Sequence, residues 1–155
     1  MMSNVPDLPL SNSSLPSASL RAAADGVPTL RSHHWSAILT AHPDAYAWTA
    51  ADFLAHLRQA VHAAGLTIVN ETAFTFQPQG VSAVLLLAES HVAIHFWPEK
   101  GKITVDIHIC DFHQDNQPKA RHLADRLAAC LSSSPAAWHT LSLIDTPPTY
   151  SPPPH

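Results

Sequence analysis

Ser90 directly follows Glu89 at the break between two extended apolar stretches, with His95 five residues on and Cys110 twenty on. A serine held in a tight, strained turn between adjacent strands can bring its hydroxyl to the carbonyl carbon of the residue before it. That attack needs a proton acceptor and a way to stabilise the resulting oxyanion. His95, on the strand after the turn, and Ser82, on the strand before it, would approach the serine if the strands pair as a hairpin. Cys110 adds a thiol whose reactivity is set by its thiolate fraction. A hydrolase reading lacks support, because no Gly-x-Ser-x-Gly elbow surrounds Ser90. A metal centre from His91, His95, His108 and Cys110 is disfavoured. Histidines at i and i+4 chelate from a helix, whereas on a strand they stand roughly 13 Å apart. No metal is expected.

These residues need elements to position them, and hydrophobic periodicity supplies them. Phe53, Leu54, Leu57, Val61 and Ala64 keep helical spacing after Thr49, a natural N-cap with Asp52 in the first turn, and Gly65 is placed to stop the helix. Leu66–Val69 and Ala73–Phe76 read as extended, and Gln77-Pro78-Gln79-Gly80 as a turn. Val81–Ala88 reads as a buried strand, followed by Val92–Trp97. In Lys102–Cys110 the apolar Ile103, Val105, Ile107 and Ile109 alternate with Thr104, Asp106, His108 and Cys110. A second helix fits Pro118–Leu131, with Pro118 in its first turn and Cys130 as a small apolar residue near its stripe. Trp138–Ile144 predicts a last strand and His34–Leu39 a first one. Strands outnumber helices and several are joined by short turns. This predicts an α+β fold, a mainly antiparallel sheet with helices on one face. The polar row of Thr104, Asp106, His108 and Cys110 then becomes a candidate site wall on the other face.

Composition narrows the classes. A chain of 155 residues, 46% apolar, suits one domain. Residues 1–30, rich in Ser, Pro and Ala, read as a disordered lead-in, 31–145 as the folded domain and 146–155 as a Pro-rich tail. A formal charge of −4 argues against a nucleic-acid or anionic-membrane surface. The twelve histidines would reverse that sign on mild acidification. Two cysteines are too few for a disulfide framework. No apolar run approaches the roughly eighteen residues of a membrane span, and no signal peptide is evident, so the cytoplasm is the expected compartment.

Phe76-Gln77-Pro78-Gln79-Gly80-Val81-Ser82, then Glu89-Ser90-His91, Ile94-His95, Trp97-Pro98-Glu99, Asp106 and Cys110 form one uninterrupted block. In order and spacing it resembles the self-processing site of the pyruvoyl-dependent S-adenosylmethionine decarboxylases of the short bacterial and archaeal type. The resemblance implies a two-layer α/β sandwich, cleavage between Glu89 and Ser90, and conversion of Ser90 to a pyruvoyl cofactor. It implies that His95 acts in processing with Ser82 assisting, and that Cys110 is the proton donor in turnover. Phe76 would stack on adenine and Glu99 would bind the ribose hydroxyls. The cofactor would act as an electron sink through a Schiff base with the substrate amine. The product would be the aminopropyl donor of spermidine biosynthesis, made by a homodimer of cleaved protomers.

Three positions depart from the family pattern. Phe96 stands where threonine is common, Asp111-Phe112 follows the cysteine where glycine is frequent, and the acidic residue expected near Ile38 is missing. These changes are expected to bear on the pocket for the methionine tail. Two alternatives remain: a pyruvoyl-dependent ornithine or arginine decarboxylase, for which Phe76 and Glu99 would have no task, and an unprocessed regulatory paralogue, against which stand the intact Glu89, Ser90, His95 and Cys110.

Overall fold

The computed structural model describes residues 29–145. The readings of the preceding lead-in and of the Pro-rich tail fall almost wholly outside those residues. Six strands form one sheet: β1 Arg31–Thr40, β2 Ile68–Thr75, β3 Val81–Leu87, β4 Ser90–Trp97, β5 Lys102–Cys110 and β6 His139–Ile144. Their order is β2-β3-β4-β5-β1-β6, and every neighbouring pair is antiparallel. Two helices, α1 Ala50–Ala63 and α2 Gln117–Leu131, pack on one face of it. The expected α+β architecture is therefore the observed one.

The helices begin and end where local chemistry says they should. Thr49 caps α1 through a reciprocal pair: its hydroxyl accepts from the Asp52 amide while the Asp52 carboxylate accepts from the Thr49 amide at 2.7 Å. These bonds hold the Asp52 carboxyl below its usual range, the bond from the Thr49 backbone first. Gly65, at φ +71°, reverses the chain after α1, a conformation that costs a side-chain-bearing residue more. Pro118 lies in the first turn of α2, where its missing amide hydrogen is no loss. The segments read as two extended pieces, Leu66–Val69 and Ala73–Phe76, are one strand with an irregularity between Ile68 and Asn70.

Alternation divides each strand between two environments. Val81, Ala83, Leu85 and Leu87 of β3, Val92, Ile94 and Phe96 of β4, and Ile103, Val105, Ile107 and Ile109 of β5 are buried under the helices. They meet Phe53, Leu57 and Val61 of α1 and Leu123, Leu127 and Leu131 of α2 in one core. Phe53, Leu57 and Leu127 are wholly buried, each contributing about 1.5–3 kcal/mol by removal from water. The opposite residues, including Ser82, Ala93, His95, Thr104, His108 and Cys110, lie on a face that neither helix covers. That uncovered face carries Ile38, Phe74, Leu86, Trp97, Leu141 and Leu143, all 45–68% exposed.

Candidate active site

β3 and β4 are joined by a two-residue turn, Ala88-Glu89, with Leu87 opposite Ser90. Thr67 pins the turn from the side: its carbonyl accepts from the Ala88 amide at 2.9 Å and its amide donates to Glu89 Oε2 at 3.1 Å. Strain in this hairpin is concentrated on Ser90, whose φ is +143°. An L-residue in such a sparsely populated region costs on the order of 1–3 kcal/mol. The carbonyl oxygen of Glu89 accepts from the backbone amide of Cys110 at 2.7 Å. A donor at that distance polarises the carbonyl and is placed to stabilise an oxyanion at the same atom.

The sequence-predicted residues fall into two groups, one at each end of the β3–β4 hairpin. The first surrounds the turn: Ser90 Oγ is 3.3 Å from His91 Nδ1, and Cys110 Sγ is 3.6 Å from His108 Nε2. His34 of β1 stacks on His108 with ring centroids 4.0 Å apart, and His91 meets the same ring edge-on at 5.2 Å. Burial first, then the charge on His34 and His91, hold His108 below the ordinary imidazole range.

The second group lies at the other end of the same hairpin. Ser82 is paired with His95 in the strand register, and Ser82 Oγ lies 2.5 Å from His95 Nδ1. Phe76, Gly80, Ser82, His95, Trp97 and Glu99 line a cleft of about 330 Å³. Gly80, at φ +110°, holds this corner, accepting from the Phe76 amide at 2.8 Å; a Cβ there would press within 3.3 Å of the Phe96 carbonyl oxygen. Phe74 braces Phe76 edge-to-face at 4.9 Å.

The expectation that His95 and Ser82 approach Ser90 through the hairpin is therefore corrected. The hairpin forms, but five residues at about 3.3 Å each place His95 roughly 16 Å along β4 from Ser90. His91, rather than His95, is the imidazole hydrogen-bonded to Ser90 within the chain. Two of the three sequence departures also make packing contacts of their own, although Phe96 still contributes to the lining of the cleft. Phe96 faces the helices, packed against Phe53 and Tyr46 at 5.4 and 5.5 Å. The Asp111 carboxylate accepts from the Asn116 amide and meets His33 Nε2 at 2.8 Å, fastening the chain after Cys110 to β1. Ile38 is on the open face opposite Thr104. His34 was not singled out by the sequence, because its place beside His108 exists only through the β1–β5 pairing. Cys130 is partly buried, and that burial pushes its thiol up to about 11. Among the described residues the cluster with metal-ligand spacing is His33, Asp111 and Asp115; its shortest contact is the hydrogen bond already described.

A single antiparallel sheet with helices on one side, an open reactive face, and a strained serine whose preceding carbonyl is held by a backbone amide together define a class of protein built around one β-hairpin. The family model of S-adenosylmethionine decarboxylase matches residues 33–135, and the chain belongs to that family. It is 46% identical over 66 residues to the S-adenosylmethionine decarboxylase proenzyme of Synechococcus sp. (strain WH7803), a match covering 43% of this chain and 52% of that protein. With the proenzyme of Aquifex aeolicus (strain VF5) it shares 50% identity over 54 residues, 35% of this chain and 40% of the relative. The chain thus matches about half the length of such curated relatives. The crystal structure of the adenosylmethionine decarboxylase from Aquifex aeolicus VF5 superposes with a TM-score of 0.61 at 31% identity, covering 74% of this chain and 91% of that one.

Proposed function

We propose that this chain cuts itself between Glu89 and Ser90 and, once cut, decarboxylates S-adenosylmethionine. The observation that carries the reading is the strained Ser90 beside a Glu89 carbonyl already held by the Cys110 amide. Ser90 Oγ attacks the Glu89 carbonyl carbon, and the peptide C–N bond gives way to an ester. β-Elimination then frees the Glu89 carboxylate, and hydrolysis at position 90 releases ammonia and leaves a pyruvoyl group. The cleavage relieves the backbone strain that Ser90 carries. The residues present fit that group: a serine at the only strained strand start among the described residues, with a thiol on the next strand.

When formed, the pyruvoyl group supplies an electron sink for loss of CO₂. Cys110, on the open face next to the turn, donates a proton to the carbon that CO₂ has left. Phe76, 46% exposed, offers a ring for the adenine, and Glu99, exposed at the same cleft, accepts from two vicinal hydroxyls. A free amino acid such as ornithine or arginine would use neither, which favours the nucleoside substrate. The product serves as the aminopropyl donor for spermidine biosynthesis.

Ser82, His95 and the cleft lie too far from Ser90 to serve it within one chain. A second copy, laid on the open face about a two-fold axis, brings the hairpin end of one protomer to the opposite end of the other. It covers the exposed Ile38, Phe74, Leu86, Trp97, Leu141 and Leu143 at the same time. We therefore read the enzyme as a homodimer whose sites combine Ser90 and Cys110 of one protomer with Ser82, His95, Phe76 and Glu99 of its partner. Among the described residues no helix is long and apolar enough to cross a membrane.

Intact-mass measurement on the purified protein tests the first half. Two fragments, one ending at Glu89 and one blocked at its amino terminus, are expected; one unbroken chain after long incubation overturns self-processing. Release of labelled CO₂ tests the second. S-adenosylmethionine should outrun ornithine and arginine at equal concentration, and the reverse order overturns the substrate.

A further inference from the structure

His108 and Cys110 occupy alternate positions on the open side of β5, and their side chains meet with Sγ and Nε2 3.6 Å apart. The imidazole is held there from both flanks. His34 of β1 stacks on it at 4.0 Å, and Ser32 Oγ lies 3.3 Å from His34 Nε2. His91 of β4 closes the other side edge-on at 5.2 Å, and Ser90 Oγ lies 3.3 Å from His91 Nδ1. Asp106, the next residue along this side of β5, is engaged by the Ser36 hydroxyl at 2.6 Å. Three strands therefore converge on one thiol–imidazole contact next to Ser90.

We propose that His108 is the proton-exchange partner of Cys110, a positioning residue whose Nε2 accepts a hydrogen bond from the thiol and which passes a solvent proton to sulfur after each turnover. This rests on the decarboxylase reading, whose chemistry consumes one proton: a carboxylate plus H⁺ gives a C–H bond and CO₂. The Cys110 S–H bond breaks as the new C–H bond forms, and sulfur keeps the electron pair as a thiolate. His108 then takes a proton from solvent at Nε2 and passes it to sulfur, which restores the starting state with no oxidant or reductant. A neutral ring is required for Nε2 to accept from the resting thiol and, later, to take up the solvent proton. The packing supplies it, since burial and the neighbouring His34 and His91 all disfavour a proton on His108. His34 and His91, each packed on His108, keep the donor–acceptor axis fixed.

The test uses the full chain with Ser90→Ala and Cys130→Ala, which cannot be cut and retains Cys110 as its single cysteine. Alkylation of Cys110 by iodoacetamide is followed by mass from about pH 5 to 8. At neutral pH the reaction should run about tenfold faster than in the same protein carrying His108→Gln or His108→Phe. Only the chain with His108 should also lose rate along an added limb below pH 6.5. His108→Phe keeps a ring against His34, so a purely structural histidine would leave its rate and profile unchanged. Rates within about twofold and superimposable profiles overturn the proposal. No substrate enters this experiment. If His108 governs alkylation but S-adenosylmethionine is not decarboxylated, the functional reading falls and the pair stands; the opposite pattern removes the pair alone.

Discussion

The backbone amide of Cys110 donates to the carbonyl oxygen of Glu89 at 2.7 Å, so the strand that carries the thiol also grips the carbonyl next to Ser90. One residue serves two chemistries through different atoms. Its N–H is placed for an oxyanion at Glu89, and its Sγ faces the open side with His108. Antiparallel pairing of β4 and β5 makes this possible, because Ser90 lies opposite Ile109 and the following amide falls on the turn.

That division predicts that Cys110→Ala still cuts itself, since the amide survives the substitution. Decarboxylation should fall about 10²-fold or more through loss of the proton donor. Fragment formation on a denaturing gel and CO₂ release on the same preparation check both halves. An uncut Cys110→Ala chain would assign the thiol itself to processing.

The separation of His95 from Ser90 along β4 predicts complementation between damaged copies. Ser90→Ala alone should stay whole, and His95→Gln alone should cut at least about 10²-fold more slowly than the native chain. Mixed under conditions that exchange protomers, the two should regain cleavage, and only the His95→Gln chain should be cut. If His95→Gln homodimers cut at the native rate, His91, already 3.3 Å from Ser90 Oγ, becomes the processing base.

The cleft beside β3 and β4 predicts a binding defect separable from processing. Glu99→Gln should weaken S-adenosylmethionine by about 1–3 kcal/mol through loss of a charge-assisted acceptor. Phe76→Ala should cost about 1–3 kcal/mol if base–aromatic stacking values apply. Both should appear in KM while self-cleavage proceeds. Silent substitutions, with a preference for a free amino acid, would favour the ornithine or arginine reading.

The α1 capping box predicts a pH-dependent contribution to stability. Thr49→Ala should destabilise the fold by about 0.5–2 kcal/mol near neutral pH, measured by denaturant unfolding. The Asp52 carboxyl sits below 3.8 in the folded chain, so its contribution is present above that value and is lost as pH falls through the lowered one. The gap between Thr49→Ala and the native protein should narrow on acidification through that window. The bond from the Thr49 amide is present in both proteins, so a gap that stays constant would mean that the hydroxyl–carboxylate bond adds nothing.

Local patterns in the sequence determined the elements and the kinds of chemistry available. Period two in Lys102–Cys110 marked a strand with one apolar and one polar face, and Thr49 and Gly65 bounded a helix by their backbone and side-chain chemistry alone. The block from Phe76 to Cys110 also carried enough fixed spacing to indicate the family that the fold and the comparisons then established. Distances across the sheet were decided only by tertiary structure. Sequence separation made His95 look close to Ser90 and His34 look irrelevant, whereas strand register put His95 beside Ser82 and His34 on His108. Phe96, read as a change to the pocket, lines the cleft but also packs its buried ring on Phe53, because the alternation places it with the residues that face the helices. The physical reason is common to all three. A strand fixes which face a side chain takes from its own residue order. Which residues it meets there depends on pairings made by hydrogen bonds to strands far away in the chain, and those follow from burying one face under two helices.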